Sequence, residues 1–161
     1  MDEYHTKQMK IYLINQQNNH NINHNNILKL VEELGTNIKS SKKNWDEITI
    51  IITDHTGIKK LNNKYFKKDY TTDVISFLYH SIPGEKNALS GDIIVNLDQV
   101  FDEGNIRDNI NYELAFYIAH GLDHLNGNDD NTSIKRNKMH DREKKWIEKA
   151  IKQNLLNNLI A

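Results

Sequence analysis

Cysteine is missing from all 161 residues. That excludes disulfides, thiolate metal sites and cysteine nucleophiles together. It leaves His, Asp, Glu and Asn as the side chains able to hold a metal, and it fits a reducing compartment. A surplus of either charge is missing too: 21 Lys and Arg stand against 22 Asp and Glu, for a formal net charge of -1. A strongly basic nucleic-acid coat is therefore excluded, whereas a local basic patch is not, because net charge says nothing about distribution. No apolar stretch approaches the roughly 18 residues of a membrane span. The first ten residues, MDEYHTKQMK, hold no apolar core of a secretory signal. A cytoplasmic location without a membrane partner is expected. Mean hydropathy is low, at -0.74, chiefly because 23 residues are Asn, a bias of composition rather than a functional signal.

What is present points to one α+β domain over 1–161, long enough to bury about 68–70% of its unfolded surface. The β-branched runs KIYLIN at 10–15, EITIIITD at 47–54, DVISFLY at 73–79 and GDIIVNL at 91–97 predict four strands. The second is apolar almost throughout, which predicts cover on both faces. Residues 16–26, QQNNHNINHNN, read as a polar loop or a frayed helix start. Helical spacing predicts a helix over 27–38, with Gly35 near its end, and another over 58–68. The single proline makes Pro83-Gly84 a turn. Beyond residue 97 the chain reads as helical, with helices placed at 109–126, stopped by Gly127, and at 133–160. No repeat or linker interrupts it.

The sharpest motif is His120-Gly-Leu-Asp-His124, followed by Leu-Asn-Gly127-Asn-Asp129-Asp130. Two histidines at i and i+4 project from one helix face, close enough to share an ion. Gly127 stops the helix, so Asp129 or Asp130 can swing back as a third ligand. Two imidazoles and a carboxylate leave a fourth position open, the pattern of a catalytic rather than a structural zinc site. His20 and His24 repeat the spacing, but in an Asn-rich stretch with little apolar face and no returning carboxylate, so no site is expected there. Asp123 falls about 60° from His120 and about 100° from His124 around the helix, at about 100° per residue. It is a candidate general base for a metal-bound water, a carboxylate that orients an imidazole, or an exposed acid on the helix flank. The string also fits the inverted His-x-x-acid-His pattern of small zinc metallopeptidases, with Asp in place of Glu. Only 37 residues follow His124, and the downstream acids Glu143 and Glu148 fall in a basic last helix. Lysines 59, 60, 64, 67 and 68 make a run that either binds phosphate or is a solvated helix face. Tyr65 and Phe66 among them are stacking platforms or core anchors.

Read in order, these blocks resemble the YbeY family of single-strand-specific endoribonucleases that mature ribosomal RNA. The family signature His-Gly-x-Leu-His-Leu-x-Gly-Tyr-Asp-His aligns with His120–Asp130. The upstream elements Leu61-Asn62, Lys68-Asp69, Thr72–Phe77 and Gly91-Asp92-Ile93 look like that family's corresponding segments, and Met139 and Glu143 fall where it has a Met and a Glu in the last helix. The resemblance covers Trp45 to Trp146. It implies a central four-stranded mixed sheet surrounded by helices, with the metal site on the central helix. It further implies one Zn²⁺ per chain held by His120, His124 and Asp130, the last in place of the usual His. Single-stranded RNA, ribosomal RNA and the ribosome are the implied partners, with no DNA expected. Three departures stand out. Asp123 replaces a Leu, Asn128 replaces a Tyr, and Phe66 occupies the position of a usual Arg. Lys64, Lys67 and Lys68 are the expected RNA contacts, as point charges with less geometric control than an Arg, and the basic last helix is the other expected wall of the RNA channel. The alternatives are an RNA- or ribosome-binding module with a degraded metal site, and the small metallopeptidase.

Overall fold

The structure is a computed structural model that describes residues 2–5, 9–38, 44–79 and 88–161. The expected turn at Pro83-Gly84 lies outside the described residues. The elements run β1 (Asp2–His5), β2 (Lys10–Asn15), α1 (His24–Asn37), β3 (Asn44–Thr53), α2 (His55–Phe66), β4 (Val74–Tyr79), β5 (Ala88–Asn96), α3 (Leu97–Arg107), α4 (Ile110–Leu125) and α5 (Ser133–Lys152). The fold is α+β, as expected. The four expected strands form a mixed sheet in the order β2-β3-β5-β4, and β1 extends it at one edge. The pairs β2·β3 and β3·β5 are parallel, while β1·β2 and β4·β5 are antiparallel.

The pleat sends alternate residues to opposite faces. On β3, Ile48, Ile50 and Ile52 are fully buried in the main core with α1, α4 and residues of α5, whereas Ile51 turns to the other face. On β5, Ile93 and Val95 face α4, and Ile94 packs with Ile58 of α2. So α2 covers the opposite side of the sheet from α4. This separation matters for every cation that α2 carries.

The central helix is α4, apolar around most of its circumference and buried along its length, as a core helix should be. It lies unusually close to the sheet. A Cβ at Gly121 would sit 2.5 Å from Ile93 Cγ2, and one at Gly91 would sit 2.6 Å from the Phe77 carbonyl and 2.8 Å from Leu125. Both positions must lack a side chain for α4 to seat where it does. The Ser76 hydroxyl, donating to the Gly121 carbonyl at 3.1 Å, ties β4 to the same point.

Two helix expectations need correction. α3 was not placed in the sequence, because its apolar positions are sparse and it starts directly from the strand end. The Asn96 side chain caps it, accepting from Gln99 N–H, and Asp108 ends it in the left-handed region. The last helix does not reach residue 160. It stops at Lys152, and Asn154 and Asn158 adopt positive φ of 60° and 55°. Asn tolerates that conformation better than most residues, so the apolar residues beyond it, Leu156 and Leu159, reach the core from turns rather than from helix.

Candidate metal centre

α4 carries His120 and His124 on one face in its last two turns. Asn126 caps the helix and Gly127 follows with φ +95°, a left-handed conformation that favours glycine. The chain then doubles back and brings Asp130 over the two rings. The Nε2 atoms of His120 and His124 lie 3.0 Å apart, and Asp130 Oδ2 is 3.4 Å from the first and 3.8 Å from the second. Three ligand atoms from three side chains thus converge on one point, a cluster able to hold a metal ion.

Each imidazole is held by its other nitrogen. His124 Nδ1–H donates to the Asn128 carbonyl at 3.0 Å. A carbonyl can only accept, so this bond fixes the tautomer and leaves Nε2 with its lone pair toward the cluster. His120 Nδ1 pairs with Glu143 Oε1 at 2.7 Å, the carboxylate–histidine arrangement typical behind metal ligands. Glu143 is fully buried and comes from the middle of the buried stripe Met139, Glu143, Ile147 and Ala150 on α5. Burial pushes its carboxyl up to about 7, with Asp123 adding to the rise and the His120 bond opposing it. Burial pulls the His120 imidazole down. The hydrogen bond and charge of Glu143, with Asp130 and Asp73 beyond, outweigh it and raise the group above the ordinary histidine value.

Asp123 is fully buried. Arg142 Nη2 of α5 donates to both of its oxygens, at 3.2 and 3.1 Å, and the Asn128 side-chain amide donates to Oδ1 at 2.8 Å. It is not one of the grouped ligand atoms. Two of the three departures from the signature, Asp123 and Asn128, therefore contact each other and share Arg142. Leu and Tyr at the same places could not make this network. It braces the loop whose carbonyl orients His124. Burial and the His120 charge together push His140 down, and His140, His120 and Glu143 also form a second tight grouping. It shares His120 with the first, through a carboxylate already bonded to Nδ1.

The remaining expected residues lie elsewhere. Lys64, Lys67 and Lys68 are exposed at the end of α2, on the other side of the sheet. Lys64 Nζ stands 5.2 Å from the Tyr65 ring, and Lys67 is the left-handed cap of the helix. Phe66, at the position of the usual Arg, stacks on Phe77 with ring centroids 5.9 Å apart. Arg142 is the contributor that the sequence reading missed; Glu143 and Asn128 stood out there without these roles. One signal was available: a Glu within an apolar i, i+4 stripe, a position that costs free energy unless the carboxylate is paired.

Comparison with known proteins bears on the family and the fold. Residues 12–151 match the family described as Endoribonuclease YbeY. The chain is 32% identical over 155 residues to the Endoribonuclease YbeY of Syntrophomonas wolfei subsp. wolfei, covering 88% of this chain and 97% of that protein. It is 31% identical over 146 residues to that of Petrotoga mobilis, covering 89% and 97%. A shorter match to the Treponema denticola protein, 40% identical over 92 residues, spans 59% of that relative's length. The solution structure of TM1509 from Thermotoga maritima superposes with a TM-score of 0.57 over 86% of this chain and 87% of that one, at 22% identity, a likeness of fold. The family match contains every residue of the cluster and of the Glu143 and Asp123–Arg142 supports behind it, and the chain belongs to the YbeY family.

Proposed function

We propose that this chain is a zinc-dependent endoribonuclease that cuts single-stranded RNA during ribosomal RNA maturation in the cytoplasm. The observation that carries the reading is the convergence of His120 Nε2, His124 Nε2 and Asp130 Oδ2, each imidazole fixed from behind. The donor set fits the ion: two neutral imidazole nitrogens and one carboxylate, with room for a further ligand, match catalytic zinc. Bound there, zinc supplies Lewis-acid polarisation of a phosphoryl oxygen and lowers the pKa of water. The chain's own residues do the rest. Glu143 orients His120, the Asn128 carbonyl orients His124, and Asp130 adds charge where the family usually has a neutral ring. Asp123, saturated by Arg142 and Asn128, acts as a positioning residue for that loop rather than as the general base.

The RNA substrate is taken from the name of the relatives and from the exposed lysines and aromatic rings at the end of α2, where Lys64, Lys67 and Lys68 contact the strand away from the reacting phosphate. Among the described residues no helix is long and apolar enough to cross a membrane. The converging Asp130 weighs against a degraded, binding-only site. The engagement of Asp123 weighs against the peptidase reading, which needs that acid free to act on water. The test is cleavage of a single-stranded RNA by the purified protein with and without chelator, beside His124→Ala. Cleavage lost in both the chelated and the variant protein is expected. Equal cleavage in all three samples overturns the proposal, and RNA binding that survives chelation without any cleavage favours the binding module.

A further inference from the structure

The family's usual Arg is absent at Phe66, and α2 faces away from the cluster, so the phosphate beside the reacting centre lacks an obvious cation. A different group of cations borders the metal loop. A cleft of about 420 Å³ under Tyr79, lined by Ile51, Leu61, Tyr65 and Phe77, lies on the α2 side and carries Asp92 rather than a cation. A smaller one, about 270 Å³, opens between the loop at Gly127, Asn128 and Asp129 and the first turns of α5, where Lys135, Lys138 and Arg142 line it. Spacing of three and four residues puts these three cations on one helix face.

We propose that this second cleft binds a backbone phosphate of single-stranded RNA next to the metal cluster, with Lys135, Lys138 and Arg142 as the contacts. The inference takes its ligand from the nuclease reading and locates that ligand's phosphate. Arg142 is preorganised: Asp123 pins Nη2, while the side chain as a whole lines the cleft and stays partly exposed. A fixed, partly exposed guanidinium is suited to a phosphate oxygen. Lys138 is exposed. Lys135 is paired with Asp129 at 3.4 Å, both about half exposed, and such pairs contribute little, so a phosphate oxygen displaces the carboxylate. Asp130 lies in the same loop, with its carbonyl 3.4 Å from Arg136 Nη2. The cleft adjoins the cluster through Asn128, which lines it and whose carbonyl holds His124 Nδ1 at 3.0 Å.

The test uses the full chain stripped of metal, so that no cleavage occurs, and a fluorescein-labelled single-stranded RNA of about 12 nucleotides. Wild type, Lys135→Ala/Lys138→Ala and Lys64→Ala/Lys67→Ala/Lys68→Ala are titrated across a salt series, with melting temperature checked for each. The cleft variant is expected to bind at least about tenfold more weakly, with its log–log salt slope reduced by about 0.7 per lost phosphate contact. The α2 variant is expected to lose less. A cleft variant that binds like wild type, or a wild type that binds no RNA, overturns the proposal. The two readings fail separately. Cleavage by the metal-loaded cleft variant with unchanged KM removes the cleft and leaves the nuclease standing. Absence of cleavage by metal-loaded wild type, with binding still lost in the cleft variant, removes the nuclease and leaves the cleft.

Discussion

His20 and His24 have the same spacing as His120 and His124, and the two pairs meet different surroundings. His20 precedes α1. Its ring stacks on Phe101 with centroids 3.6 Å apart, and its Nε2 lies 3.4 Å from Asp98. His24 is the first residue of α1, and the extended cap Asn23 stands between them. The interval therefore runs through non-helical backbone, and the rings do not share a face. His120 and His124 sit on continuous helix, with a glycine stop, a returning carboxylate, and an acceptor behind each ring. A four-residue histidine interval becomes a site only when a helix carries it and the remaining ring nitrogens are held.

The largest expected effect tests that contrast directly. Native mass spectrometry and zinc titration should show about one ion per chain in the wild-type protein. His124→Ala, which removes a ligand, should weaken binding by more than about 100-fold, beyond the range typical of outer residues. His24→Ala should leave it unchanged. Equal losses in the two variants would break the comparison.

The next effect separates the two pairs by what braces them. Asp123→Leu restores the family residue yet leaves Arg142 Nη2 and the Asn128 amide without their acceptor. Breaking a buried ion pair from one side costs about 3–5 kcal/mol; Arg142 is partly exposed, so about 2 kcal/mol is expected in urea unfolding. Asp123→Leu/Arg142→Leu should recover much of it, giving a coupling between the sites in a double-mutant cycle. Additive losses would show that the network is not a unit.

The sheet was legible because its strands are β-branched runs, and α4 because its apolar spacing is dense. The ligands His120, His124 and Asp130 were legible because helix period and a glycine stop are local signals. Asp123 was visible as an anomaly, but its partner Arg142 is 19 residues away on another helix, and no local pattern reports such a contact. The side of the sheet that α2 covers was equally hidden, since it depends on the pleat of β5. That is why the lysines 64, 67 and 68 looked closer to the chemistry than they are. The strand β1 and helix α3 were missed for want of a strong period.

A smaller effect concerns the ring nitrogen turned away from the cluster. Glu143→Gln keeps a hydrogen-bond acceptor for His120 but removes the charge. Zinc affinity should fall about tenfold, the lower end for a carboxylate behind a ligating histidine, with the melting temperature of the metal-free protein held or raised, because a buried acid is replaced by an amide. An unchanged affinity would mean that the charge of Glu143 is not needed behind His120, only its acceptor.

The smallest effect belongs to the other pair. Asp98 accepts the His55 backbone N–H at 3.0 Å and the Asn19 amide at 3.2 Å, and lies beside His20. Burial pushes its carboxyl up, but the His55 and Asn19 bonds and the nearby histidines outweigh burial and lower it below the usual value. A depressed folded value means that the ionised form stabilises the fold. That contribution is present above the unfolded value of about 3.9 and is lost as the pH falls through the folded one. Asp98→Asn should therefore lower the unfolding free energy from urea titration at pH 7, by under about 1 kcal/mol for a partly exposed group, and the gap to wild type should close as the pH drops below about 4. Metal binding should not change at either pH. A gap that persists in acid would mean that the side chain acts by shape, and a loss of metal would tie the His20 region to a centre that its geometry keeps apart.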